Sequence, residues 1–335
     1  MLNLHLEKRL KLLGGLPFFN YNGVAPIKQN DKWGFIFPEG KVKIFPRYDK
    51  VFFFTEEKAA VMNDNKWGFI NTNGEIIIDL QFQAVKMFFE GTAAAQDVKN
   101  GKWGYIGADG KYIIDPIYDE VSGFSDGFAS VKQNGLWYII DINEKKLGTG
   151  TFEDLSIFAE GFCFFKQNDK WGYFNSKGEI VKQPVYKDYG NQTKLFYFYC
   201  ENCAPVCLDS QWGFLNLNGE WLIAPQYQMA NVFSESLAGI MQNNLWGFID
   251  IKGNQIIEPC FESVLVFTEG LAGVSINKKW GYISPDGKII IEPVFDMALG
   301  FSGGIAFAKQ GEISGFINKK GEFIWKIIGE KKYYG

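Results

Sequence analysis

The sequence predicts an all-β repeat protein, a tandem array of about nine three-stranded antiparallel β-meanders of about 34 residues each. Three observations predict it. Trp-Gly pairs recur at Trp33-Gly34, Trp67-Gly68, Trp103-Gly104, Trp171-Gly172, Trp212-Gly213, Trp246-Gly247 and Trp280-Gly281, and Trp137-Tyr138 and Ser314-Gly315 stand where two more fall. With those two included, neighbouring sites lie 34 to 41 residues apart. Turn-forming residues recur at two fixed places in each repeat, and aromatic residues, 17% of the chain, recur at others.

Composition narrows the function classes. The chain has 335 residues, 47% hydrophobic and 21% charged, which is enough for a core and too apolar for a disordered segment. A net charge of -4 lacks the basic excess of a general nucleic-acid binder. The single histidine, His5, leaves little for His-based catalysis or His-rich metal sites. No apolar run approaches the roughly 18 residues that span a bilayer.

The elements follow in chain order. In residues 1–22, Leu2, Leu6, Leu10 and Leu13 keep helical spacing and Gly14-Gly15 ends the pattern, so a short amphipathic helix is expected to cap the array. The alternative is a helix for a membrane surface or a partner. Glu7, Lys8, Arg9 and Lys11 interrupt the leucines, so no signal peptide is read there. Five cysteines without a secretory signal argue against a disulfide scaffold and make the cytoplasm the expected compartment.

Residues 23–328 form one repeat domain. Residues 270–296, GLAGVSINKKWGYISPDGKIIIEPVFD, show the pattern. GLAGVSI, WGYIS and IIIEPVF read as three strands. The first turn carries Asn30-Asp31, Asp64-Asn65, Asn134-Gly135 or Asn243-Asn244, residues that tolerate the positive φ of a two-residue hairpin. The second carries Gly at a fixed place, as in Gly110, Gly253 and Gly287. Within WGYIS the Trp and the next aromatic but one share a face, and the Gly faces the other way. Gly inside a strand marks a close approach, and an aromatic ring of a neighbouring strand or repeat is expected over it. The eight tryptophans Trp33 to Trp280 and the seven paired glycines are therefore assigned to the repeat core, buried by stacking one repeat on the next.

The Lys-Trp-Gly-[Phe/Tyr]-[Ile/Phe] cores at 32–36, 66–70, 102–106, 170–174 and 279–283 precede a turn Gly, an Ile-Ile-x-Pro segment and a Phe-x-Glu-Gly-x-Ala segment. This combination resembles the WG (KWG) repeats found in many bacterial proteins, and the resemblance covers all nine repeats. It implies a β-rich repeat that mediates interactions and supplies no catalytic residues. The fourth repeat departs most: it has Tyr138 for Gly, Glu144 for the turn Gly, and no Pro before Phe152. The ninth has lost its Trp.

An open, solenoid-like stack is expected, because three-stranded repeats fall short of the four-stranded blades of propellers; a closed β-propeller is the alternative. Residues 329–335 are a tail. A local insertion near 191–208 carries Cys200, Cys203 and Cys207, three thiols of the four ligands that zinc would need. Two carboxylate rows recur, Glu90, Asp126, Glu160, Glu235 and Glu269, and Asp49, Asp119, Glu153, Glu262 and Asp296. Turn capping is their expected role. With every repeated feature assigned to packing or turns, the expected function is a non-catalytic scaffold for protein–protein interaction, with no cofactor. The alternatives are a carbohydrate- or cell-envelope-binding module, and a metal or redox site at Cys200–Cys207.

Overall fold

The computed structural model describes residues 24–37, 41–148, 152–156, 158, 161–186, 203–216 and 218–328, and these form nine small antiparallel sheets in chain order. The helix expected in 1–22 and the tail 329–335 lie outside the described residues, which contain no helix. Sheets one to five (25–48, 50–82, 84–118, 120–141, 154–186) belong to one compact unit, and sheets six to nine (203–227, 229–261, 263–295, 297–328) to a second.

Six sheets have four strands, not the three expected. The eighth shows the order: Ser263–Val264, Ala272–Ile276, Lys279–Ile283, Ile289–Phe295, each strand paired with the next. In five of the six the added strand is a two-residue lead placed before the first strand of the repeat, and in sheet two it is the six-residue Lys50–Thr55. Two residues carry no readable periodicity, so the lead strand is silent in the sequence. Its presence also removes the strand-count objection to propeller blades.

The first turn forms as its residues dictate. Asn243 and Asn244 have φ of 50° and 63°, and Asn30 and Asp31 have 50° and 61°. The third repeat differs, because its two extra residues open a longer loop between Ala93–Gln96 and Trp103–Ile106. The second turn holds Gly287 at φ 82°.

Within each unit the core lies between successive sheets. One cluster joins Trp67, Phe69, Ile78 and Phe82 of sheet two to Val85, Phe88, Ala93, Ala95 and Ile106 of the third repeat. A second joins Tyr105, Ile114 and Tyr118 to Val121, Phe124, Ala129 and Ile140. Further clusters join sheet seven to eight and eight to nine. Alanines on the facing first strands let the sheets approach the large rings, and each buried ring contributes roughly 1.5–3 kcal/mol.

The most deeply buried ring is not the Trp. It is the aromatic two residues later: Phe35, Phe69, Tyr105, Tyr173, Phe214, Phe248 and Tyr282, each without solvent exposure. Most of these meet a Phe nineteen residues on, across the gap between sheets, as in Phe69–Phe88 and Tyr282–Phe301 with ring centroids 4.8 Å apart. Trp67, Trp212 and Trp246 are buried, but Trp33, Trp103, Trp137, Trp171 and Trp280 are half-buried. The tryptophans therefore seal the margin of the core whose centre the following aromatic fills.

Candidate interaction surface

The glycine after each Trp has a different cause from the one expected. A Cβ on Gly281 would stand 2.5 Å from the Ile291 carbonyl oxygen and 2.7 Å from Pro293 N, and Gly213 and Gly172 face the same backbone groups of their own third strands. Backbone of the same sheet, not an aromatic ring, covers the glycine. The third strand bulges there: Trp280 pairs with Phe295 and Tyr282 with Ile291, so one residue faces three. Pro293 sits in the bulge, where a missing N–H costs no ladder bond. The recurrent Pro inside an otherwise regular strand was the available signal for this bulge.

The repeated polar groups are used internally. In the first carboxylate row, Gly127 N–H donates to Glu90 Oε2 (2.9 Å), Gly161 N–H to Asp126 Oδ2 (2.8 Å), Gly270 N–H to Glu235 Oε2 (2.9 Å) and Gly304 N–H to Glu269 Oε2 (3.0 Å), and Glu56, which the sequence reading did not include, extends the row by accepting from Gly91 N–H (3.0 Å). Each carboxylate thus ties its repeat to the glycine of the next. Glu160 lies outside the described residues. The second row caps hairpin turns: Asp49 accepts from Asp64 N–H (3.1 Å), Asp119 from Asn134 N–H (3.0 Å), Glu153 from Asn168 N–H (2.8 Å), Glu262 from Lys278 N–H (2.7 Å) and Asp296 from Gly311 N–H (2.6 Å). The lysine of Lys-Trp-Gly pairs with the same residue, Lys32 with Asp49 (2.6 Å), Lys279 with Asp296 (2.5 Å), and Lys102 with Asp119. These lysine bonds, followed or aided by the backbone donors, hold Asp49, Asp119 and Asp296 below the usual carboxylate range.

At two of the core-centre tyrosines the hydroxyl reaches the next repeat. Tyr282 donates to Leu299 O (2.7 Å) and Tyr105 to Ser122 O (2.9 Å). Burial pushes both hydroxyls far above their ordinary range, so they remain donors.

The cysteine segment is only partly an insertion. Cys203–Leu208 is the first strand of sheet six, with Cys203 opposite Asn216 and Cys207 opposite Trp212. Cys200 lies outside the described residues, and among those described no group of three His, Cys, Asp or Glu side chains could hold a metal. No helix among the described residues is long and apolar enough to cross a membrane.

What remains outward is the third strand, which forms the open edge of every sheet except the fourth. Its seven places alternate so that the third and seventh are buried and the first, second, fourth and sixth are exposed or nearly so. Aliphatic side chains occupy exposed places: Ile76 and Ile77, Ile113 and Ile117, Ile180 and Val185, Ile289, Ile290 and Val294. An acid stands at the fourth place in Asp79, Asp115, Glu258 and Glu292. Sheets three and eight thus present apolar, acidic, apolar in sequence: Ile113, Asp115, Ile117 and Ile290, Glu292, Val294. The bulge and Pro break the edge ladder, which keeps the edge from adding strands indiscriminately. Composition hid this surface, since the same isoleucines read as core.

Comparison with known proteins agrees with the repeat. A family model described as a WG containing repeat matches nine stretches: 16–33, 33–67, 67–103, 103–137, 140–171, 171–211, 212–246, 246–280 and 280–312. No curated protein matches the chain. Among solved structures, a crystal structure of the eukaryotic initiation factor is similar over 91% of this chain and 95% of its own, with a TM-score of 0.64 and 8% identity. That likeness is one of fold alone. Hsv2 of Kluyveromyces lactis (11% identity, 82% of this chain and 95% of that one, TM-score 0.40) and PorZ of Porphyromonas gingivalis (9%, 95% and 52%, 0.36) are more distant.

Proposed function

The chain belongs to the WG-repeat family, and from that premise we propose that it is a non-catalytic scaffold, built of propeller-type blades, that binds other proteins in the cytoplasm through its outer edge strands. The observation that carries this reading is the division of labour within each repeat. Rings, glycines, lysines and carboxylates are taken up by packing, turns and ties between repeats, while aliphatic side chains stand exposed at the edge beside Asp79, Asp115, Glu258 and Glu292. Such a surface suits a protein partner that offers aliphatic and basic side chains.

The closed ring is part of this proposal. Four-stranded sheets, the usual blades of a propeller, support it. Small-angle scattering tests it: a closed ring should give a radius of gyration near the roughly 20 Å of a compact chain of this length. An open row of sheets at about 10 Å spacing would instead extend to about 90 Å.

Binding is tested by cross-linking the full chain in its native extract, beside a variant with Ile289, Ile290 and Val294 all changed to Ser. The expected result is a protein partner cross-linked to the parent, lost in the variant, at an unchanged melting temperature. Partner binding that survives the triple change would refute the edge-strand surface. Glycan binding with no protein cross-link would favour an envelope role instead.

A further inference from the structure

Four Asn-Gly pairs lie among the described residues, Asn73-Gly74, Asn100-Gly101, Asn134-Gly135 and Asn218-Gly219, and their surroundings differ. Asn-Gly is the dipeptide in which the following amide nitrogen most readily reaches the asparagine side chain, since glycine offers no side chain to obstruct it. The reaction needs that nitrogen free and the side-chain amide able to turn.

Three of the pairs are held. Gly74 N–H donates to Asn71 O (2.9 Å), Gly219 N–H to Asn216 O (3.0 Å) and Gly101 N–H to Asp97 O (3.0 Å). Asn100 is held twice more, its Nδ2 donating to Pro116 O (3.0 Å) and its Oδ1 accepting from Lys102 N–H (2.8 Å). Gly74 also packs against the Ile44 side chain.

The fourth pair is not held in this way. Asn134 and Gly135 form the exposed tip of the hairpin between Phe128–Gln133 and Leu136–Asp141, with φ of 54° and 81°. Gly135 N–H has no hydrogen-bond partner among the described residues, and a Cβ there would meet nothing within 4 Å. The bond at this site is from Asn134's own N–H to Asp119 Oδ2 (3.0 Å), which leaves the side-chain amide and the Gly135 nitrogen unrestrained. The tip can open by releasing one cross-strand pair, Gln133 with Leu136, in a sheet that has only three strands.

We propose that Asn134 is a site of spontaneous deamidation, selected by structure over the other three pairs. Gly135 N loses its proton to hydroxide and attacks Asn134 Cγ. The new N–Cγ bond closes a five-membered succinimide, and the Cγ–Nδ2 bond breaks as nitrogen leaves with a proton as ammonia. Water then adds at either imide carbonyl and opens the ring to aspartate or isoaspartate. The net change is water consumed and ammonia released, with no oxidant or reductant. The product sets a second carboxylate beside Asp119. Isoaspartate also lengthens the backbone in a two-residue turn, so the adjoining Gln133–Leu136 pair is lost.

The test is peptide mapping by mass spectrometry of the full chain during incubation in warm, mildly alkaline buffer. Exchange of NH2 for OH is expected at Asn134 several-fold faster than at Asn73, Asn100 or Asn218, with a rate that rises with pH and falls in Gly135→Ala. Conversion at any of the other three as fast as at Asn134 would overturn the proposal, and the parent protein alone decides this whether or not the variant folds.

Discussion

Sheets four and eight are built from the same repeat, yet only one has a third strand. In sheet eight, Gly281 lets Ile289–Phe295 close over the second strand through the bulge at Pro293. In sheet four, Tyr138 occupies the glycine's place, Glu144 with φ 62° takes the place of the turn glycine, and no Pro precedes Phe152. The third strand shrinks to two isolated bridges, Trp137 with Phe152 and Ile140 with Lys146. Lys146 Nζ lies 3.5 Å from the centre of the Tyr138 ring. What separates the two sheets is thus permission for backbone to approach backbone. Their cores are alike: Ile139 and Tyr282 are equally buried.

The largest expected effect comes from the shared feature. Tyr282→Ala should cost about 3–5 kcal/mol, because it removes a fully buried ring and leaves the Leu299 carbonyl without its donor. Urea denaturation of the two proteins would measure it, and a loss below about 1 kcal/mol would mean the ring is not core. Gly281→Ala should cost about 2–4 kcal/mol by forcing Ile291 away, whereas Tyr138→Ala in sheet four should cost only about 1 kcal/mol, since no strand closes over it. Equal effects at the two places would mean that the two sheets do not differ in this respect.

Smaller effects probe what the two sheets share at their margins. Asp126→Ala removes the tie from sheet four to Gly161 and should lower stability by about 0.5–1 kcal/mol, an exposed charge-assisted bond. The capping aspartates give a pH dependence. Asp49, Asp119 and Asp296 titrate lower in the folded chain than when unfolded, so their contribution is present above the ordinary carboxylate range and is lost as pH falls through the lowered values. Melting temperature should therefore hold from neutral pH to that range and then decline, less steeply once Lys32, Lys102 and Lys279 are changed to Met. The fourth repeat, with Leu136 where the lysine stands elsewhere, has no such pair to lose.

Much of this architecture was legible in the residues. Period, turn positions and the face shared by Trp67 and Phe69 follow from spacing and pleat. The oddity of repeat four followed from Tyr138 and Glu144, which break rules the other repeats keep. The lead strands were illegible because a pair such as Ala84–Val85 is too short for any period. The bulge was misread because Gly68 and Asp79, or Gly281 and Pro293, are distant in sequence and meet only once the hairpin forms. The exposed isoleucines were hidden because a strand at the edge of a sheet has the same composition as one at its centre.

Hydrogen exchange of the Ile289–Phe295 amides, compared between the parent chain and Gly281→Ala, tests most directly that the glycine of each Trp-Gly pair exists to admit the third strand. Accelerated exchange is expected in that strand and its partner Lys279–Ile283 only, with sheet seven unaffected. Full retention of protection in the variant would contradict it.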